Sequence, residues 1–150
     1  MKKILVATDF SDCAHRAEET SIALARELAA ELILLHVTVE VPFYNEGMRG
    51  LVEPGKVYEA QREWAETNLA ARAAEIRAAG VITRGVVRSG VAVEEILQSA
   101  TEEHCDLIVI GTHGRGGLSR FFLGSVADRV VRMAPCPVMT VRLPADEAGP

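Results

Sequence analysis

Two hydrophobic periods alternate along this chain. Ile4-Leu5-Val6-Ala7, Leu32 to Val37 and Asp106-Leu107-Ile108-Val109-Ile110 are nearly unbroken aliphatic runs, as expected of strands buried on both faces of a parallel sheet. Val81 to Val87 is a weaker run, interrupted by Gly85 and flanked by Arg84 and Arg88, and it predicts a strand at a sheet edge. Val138 to Arg142 is a fifth, restarted by Ala134-Pro135-Cys136-Pro137, which ends any helix before it.

Between these runs the period becomes helical. Ala14, Ala17, Ser21, Leu24 and Leu28 form one stripe, with Ser11 or Asp12 placed to cap its N-terminus. Lys56 to Ala79 is a long Ala-, Glu- and Arg-rich pattern closed by Gly80, and its Trp64 reads as an anchor for that helix or the loop before it. Val93 to Glu103 carries the stripe Val93, Ile96, Leu97 and Ala100, and Ser125 opens a last helix, Val126 to Met133. Thr38 to Gly55 holds Pro42, Asn45, Gly47, Gly50, Pro54 and Gly55, so it predicts an extended loop suited to a lid or a partner contact.

Five strands alternating with four helices predict an α/β fold: an open parallel sheet with right-handed crossovers and helices on both faces. The length, 150 residues, suits one domain, read as 1–143, followed by a polar tail, 144–150, expected to be disordered. Composition agrees, with 49% apolar residues and few aromatics. The net charge of -5, with no basic cluster beyond Lys2-Lys3, argues against a nucleic-acid partner. No apolar run approaches the roughly 20 residues of a membrane span, and the N-terminal run is too short for a signal peptide, so a cytoplasmic protein without a membrane partner is expected. Cys13, Cys105 and Cys136 lack metal-ligand spacing and read as buried thiols.

The chemistry concentrates after the fourth strand. Gly111-Thr112-His113-Gly114 is followed, nine residues on, by Gly124-Ser125 at a helix start. Gly111 and Gly114 are expected to take positive φ and let backbone N–H groups converge as an anion nest. Gly124 is expected to let backbone approach a ligand at a position with little core burden, and the helix N-terminus behind Ser125 favours negative charge. The physical reading is a phosphate cradle.

The glycine, two residues, glycine, nine residues, glycine, serine pattern resembles the ATP-binding signature of the universal stress protein family. The resemblance extends to the opening strand with Asp9, the strand end Leu34-Leu35-His36-Val37, and Pro135-Cys136-Pro137-Val138, nearly the whole chain. It implies strand order 3-2-1-4-5, which places a ligand crevice between the first and fourth strands, where the crossovers leave in opposite directions. It further implies that Ala7, Thr8 and Asp9 border the nucleoside and that Val37 brackets the adenine. Ile110 would also contact the nucleotide, Gly111, Thr112, His113, Gly114 and Arg115 would wrap the phosphates, and Gly124, Ser125, Val126 and Ala127 would complete the cradle. Asp9 would serve a ribose hydroxyl or a phosphate-bound Mg2+ or Mn2+, since it repels bare phosphate, with helix capping as its structural alternative. Arg115 and Arg120 are charge partners for phosphate oxygens, and His36 is expected to be structural.

Related sheets fail on their own requirements. A dinucleotide site needs GxGxxG where this chain has Thr8-Asp9-Phe10-Ser11, a Walker loop needs Gly-Lys-Ser/Thr, and a receiver domain needs further acidic and lysine positions at strand ends that hold Val87-Arg88 and Val141-Arg142. The expected protein is a nucleotide-dependent stress-response regulator. The alternative is a slow ATPase or adenylyl-transferring enzyme on the same fold, and with no carboxylate except Asp9 beside the cradle any turnover is expected to be slow. Homodimerisation is expected through the apolar edge strand Val138 to Arg142, and the resemblance implies the same interface.

Overall fold

The computed structural model describes residues 1–39, 53–113 and 123–143. Its elements run β1 (Lys3–Ala7), α1 (Asp12–Leu28), β2 (Glu31–Thr38), α2 (Pro54–Ala78), β3 (Thr83–Ser89), α3 (Ala92–Glu102), β4 (Leu107–Gly111), α4 (Ser125–Met133) and β5 (Val138–Val141). The strands form one parallel sheet in the order β3-β2-β1-β4-β5, with Ala7 paired to Leu35 on one side and to Ile110 on the other. The weak run is an edge strand, as its glycine and arginines predict.

Side chains alternate along each strand and so build two cores. Ile4, Val6, Leu32, Leu34 and Val109 meet Ala17 and Ala25 of α1 and Leu69, Ala73 and Ile76 of α2. Leu5, Ile33, Leu35, Ile108 and Ile110 face the opposite way, toward Val93, Ile96 and Ala100 of α3 and Ala127 and Val130 of α4. Continuous apolar runs are required because both faces are covered. Helix α1 therefore lies on one face and α4 on the other, so the crossovers that follow β1 and β4 diverge between neighbouring strands.

Some boundaries differ from the sequence pattern for local reasons. Strand β3 starts at Thr83 because the Val81 N–H closes the end of α2 on the Ile76 carbonyl. The α1 stripe excludes Leu28, which is exposed, and includes Cys13, Glu18 and Ala25. The Ser11 hydroxyl caps α1 by accepting from the Ala14 N–H at 3.2 Å.

The N-terminal ends of the strands are tied by charge. Asp106 accepts from the backbone N–H groups of Lys2 at 2.6 Å and Lys3 at 3.0 Å, which hold its carboxyl below the usual range. Arg84 of β3 reaches Glu31 of β2 at 2.9 Å and also pairs with Glu103. The predicted loop 38–55 lies mostly outside the described residues, as does the tail 144–150.

Candidate functional site

A cavity of about 330 Å³ opens at the C-terminal ends of β1, β2 and β4, within the size range of small-molecule sites. Its wall is mostly apolar, from Ala7, Leu35, Val37, Ile96 and Ile110, with polar groups from Thr8, Asp9, His113 and Ser125 at its edge. The first turns of α1, α3 and α4 contribute Ala14, Ala92 and Ser125, so three helix N-termini converge there. Two of the three have no side-chain cap, because Gly124 and Val91 occupy the cap positions of α4 and α3. N–H groups left free at a helix start, together with the helix dipole, favour an anion.

The turn between β1 and α1 is held on several sides. The Thr8 N–H donates to the Leu35 carbonyl at 2.8 Å, and the Thr8 carbonyl accepts from His36 Nδ1 at 2.8 Å, so His36 supports the turn. The Thr8 hydroxyl donates to Glu18 at 2.7 Å and accepts from the Phe10 N–H at 3.2 Å. Asp9 Oδ1 accepts from the Ser11 N–H at 3.0 Å. These bonds keep Phe10 at φ 61, a left-handed conformation costing a bulky residue about 1–3 kcal/mol. Phe10 packs against His36, with ring centroids 4.7 Å apart, and against the edge of Trp64 at 5.1 Å.

Glycine at 111 and 124 answers to the protein itself. Gly111 is the last residue of β4 and is not among the described glycines with positive φ, so its expected nest conformation is corrected. A Cβ there would stand 3.0 Å from the backbone and Sγ of Cys13, so the glycine lets α1 pack against the strand end. At Gly124 a Cβ would meet the Thr112 carbonyl oxygen at 2.9 Å, the same oxygen that accepts the Gly124 N–H at 2.7 Å. The expectation of little structural burden at Gly124 is corrected accordingly.

Eleven sequence-predicted residues come together on the cavity wall: Ala7, Thr8, Asp9, Val37, Ile110, Gly111, His113, Gly124, Ser125, Val126 and Ala127. Thr112 stands behind it. Its N–H is engaged by the Val141 carbonyl at 2.9 Å and is not turned to a ligand, and its hydroxyl lies 2.9 Å from His113 Nδ1. Gly114, Arg115 and Arg120 lie outside the described residues. Sequence reasoning missed Ala14, Leu35, Ala92 and Ile96 on the wall. Ile96 and Leu35 were legible only as core, and the small residues opening α1 and α3 were the available signal. Beyond Asp9 and Val37 a second, open cavity of about 760 Å³ continues past His36, Gln61 and half-exposed Trp64.

Residues 1–142 match the sequence model of the universal stress protein family. The chain belongs to that family. A universal stress protein of Thermus aquaticus is 40% identical over 94% of this chain and 98% of its own. The MJ0577 protein of Methanocaldococcus jannaschii has a solved structure similar to this fold, with TM-score 0.83, 30% identity, and coverage of 96% of this chain and 97% of that one. A universal stress protein from Archaeoglobus fulgidus solved in complex with dAMP gives TM-score 0.64 at 25% identity, over 94% and 98% of the two chains. Another, in complex with cAMP, gives 0.66 at 25% identity, over 93% and 96%. Universal stress proteins with this fold thus include binders of adenine nucleotides.

Proposed function

We propose that this universal stress protein binds an adenine nucleotide, ATP above all, in the cavity between β1 and β4 and acts as a nucleotide-dependent regulator of a stress response. The observation that carries the reading is the cavity's polarity: an apolar wall of Leu35, Val37 and Ile110 suits a base, and the glycine-capped start of α4 suits phosphate. The dAMP and cAMP complexes of its relatives support the same ligand class. Ala7, Thr8, Asp9 and Val37 are assigned to the nucleoside. Gly111, His113, Gly124, Ser125, Val126 and Ala127, with Gly114 and Arg115, are assigned to the phosphates.

Mg2+ or Mn2+ would be carried by the phosphates. No three-residue group of His, Cys, Asp and Glu able to hold a metal exists among the described residues, and Asp9 is the sole carboxylate among those lining the cavity. One oxygen of that carboxylate accepts the Ser11 N–H, and with no second carboxylate on the described cavity wall to orient water, turnover is expected to be slow. The described residues include no helix long and apolar enough to cross a membrane.

Ser125→Ala separates phosphate from base recognition. One hydrogen bond to a charged group contributes roughly 1.5–3 kcal/mol, so calorimetry should show ATP weakened about tenfold or more and adenosine unchanged. Equal losses for both ligands would remove phosphate from the start of α4. Following labelled ATP in the same samples distinguishes retention from multiple turnover, and rapid turnover would favour the enzyme reading.

A further inference from the structure

A buried acid stands behind the cavity wall. Glu18 is the only buried charged residue among the described residues, its side chain 4% exposed, in the second turn of α1. Its oxygens are divided between two elements. Oε1 accepts the Thr8 hydroxyl at 2.7 Å, while Oε2 accepts from Arg72 Nε of α2 at 2.8 Å and lies 3.6 Å from His15 Nδ1. Arg72 also donates to Glu75 at 3.0 Å. Taking the Glu18 carboxylate out of water costs desolvation, and its partner Arg72 is only partly buried, with its side chain 26% exposed, so a charge at this position calls for a reason besides stability.

That reason lies in what the carboxylate does to Thr8. By taking the hydroxyl hydrogen it fixes the direction of the remaining lone pairs, one of which accepts the N–H of Phe10, the residue held at φ 61. A neutral acceptor would hold that hydrogen less strongly, because charge-assisted bonds are the stronger ones. We propose that Glu18 is a positioning residue of the nucleotide site: through Thr8 it holds the β1–α1 turn that presents Asp9 to the cavity, and through Arg72 it ties that turn to α2. The inference rests on the adenine-nucleotide reading, and its test separates the two.

The full chain and its Glu18→Gln, Arg72→Gln and Arg72→Lys variants are compared at a temperature where each keeps native circular dichroism. Two quantities are read: affinity for Mg-ATP by calorimetry, and hydrogen exchange of the Phe10 amide by NMR. Glu18→Gln keeps one acceptor but cannot serve Thr8 and Arg72 together. It should weaken ATP about tenfold, equivalent to roughly 1.4 kcal/mol, and speed Phe10 exchange. Arg72→Gln should move both readouts the same way, and Arg72→Lys should restore most of the affinity. Native affinity and native Phe10 protection in Glu18→Gln, with only the melting temperature lowered, would overturn the proposal. Should Glu18→Gln fail to fold, the same native values in Arg72→Gln would overturn it. A wild-type protein that binds no ATP would instead overturn the nucleotide reading, while the exchange comparison still decides whether Glu18 holds the turn.

Discussion

Gly124 shows how a residue can serve a site by leaving space for its own chain. The Thr112 carbonyl approaches so closely that a methyl group at 124 must push it away, breaking the 2.7 Å bond that sets the start of α4 against the end of β4. Gly124→Ala should therefore destabilise the protein by about 1–3 kcal/mol through overpacking and weaken ATP as well. Denaturant titration beside calorimetry checks both. Loss of ATP binding at full stability would return Gly124 to the simpler role of clearing room for phosphate. At this scale eleven of the residues expected at the site fall on one cavity wall, but the reason for its glycines was misread. A glycine needed for φ and a glycine needed for close approach look alike in a sequence. Neither the engaged Thr112 N–H nor the burial of Glu18 has a local signal.

Elements were far more legible. Apolar runs covered on both faces and amphipathic stripes on α1, α3 and α4 are properties of consecutive residues, so period and turn residues suffice to find them. Strand order is different, because it depends on contacts between β1 and β4 about a hundred residues apart, and it followed from family resemblance. The junction between α3 and β4 offers a test by pH. Cys105 closes α3 by donating its N–H to the Ala100 carbonyl at 2.9 Å, and burial, then the neighbouring Cys136 and Glu103, push its thiol from 9.0 up to about 11. In the unfolded chain the thiol ionises first. Its contribution to stability is thus whole below pH 9.0 and lost as pH rises toward about 11. Alkaline melting should show a loss of stability in that window, reduced in Cys105→Ala. An identical pH profile in the variant would mean the thiol does not titrate there.

At the scale of the whole molecule, β5 is the last strand of the sheet, with none beyond it among the described residues. The carbonyls of Pro137 and Val141 point to β4, where they accept from Ile108 and Thr112. Strand alternation then turns the backbone groups of Val138 and Thr140 outward. Two copies pairing there antiparallel about a two-fold axis would satisfy both edges. Thr140→Pro removes an outward N–H without touching the bonds to β4, so light scattering should find the wild type dimeric and the folded variant weakened toward monomer. A monomeric wild type, or a variant that dimerises as tightly, would exclude this strand as the interface. The ion pairs of Lys3, Glu31, Arg84 and Glu103, and the backbone hydrogen bonds to Asp106, gather at the far end of the same sheet, away from the cavity. Foundation and ligand end are thereby separated by the length of the strands, which leaves residues at the cavity mouth latitude to drift toward new ligands while the footing of the fold stays unchanged.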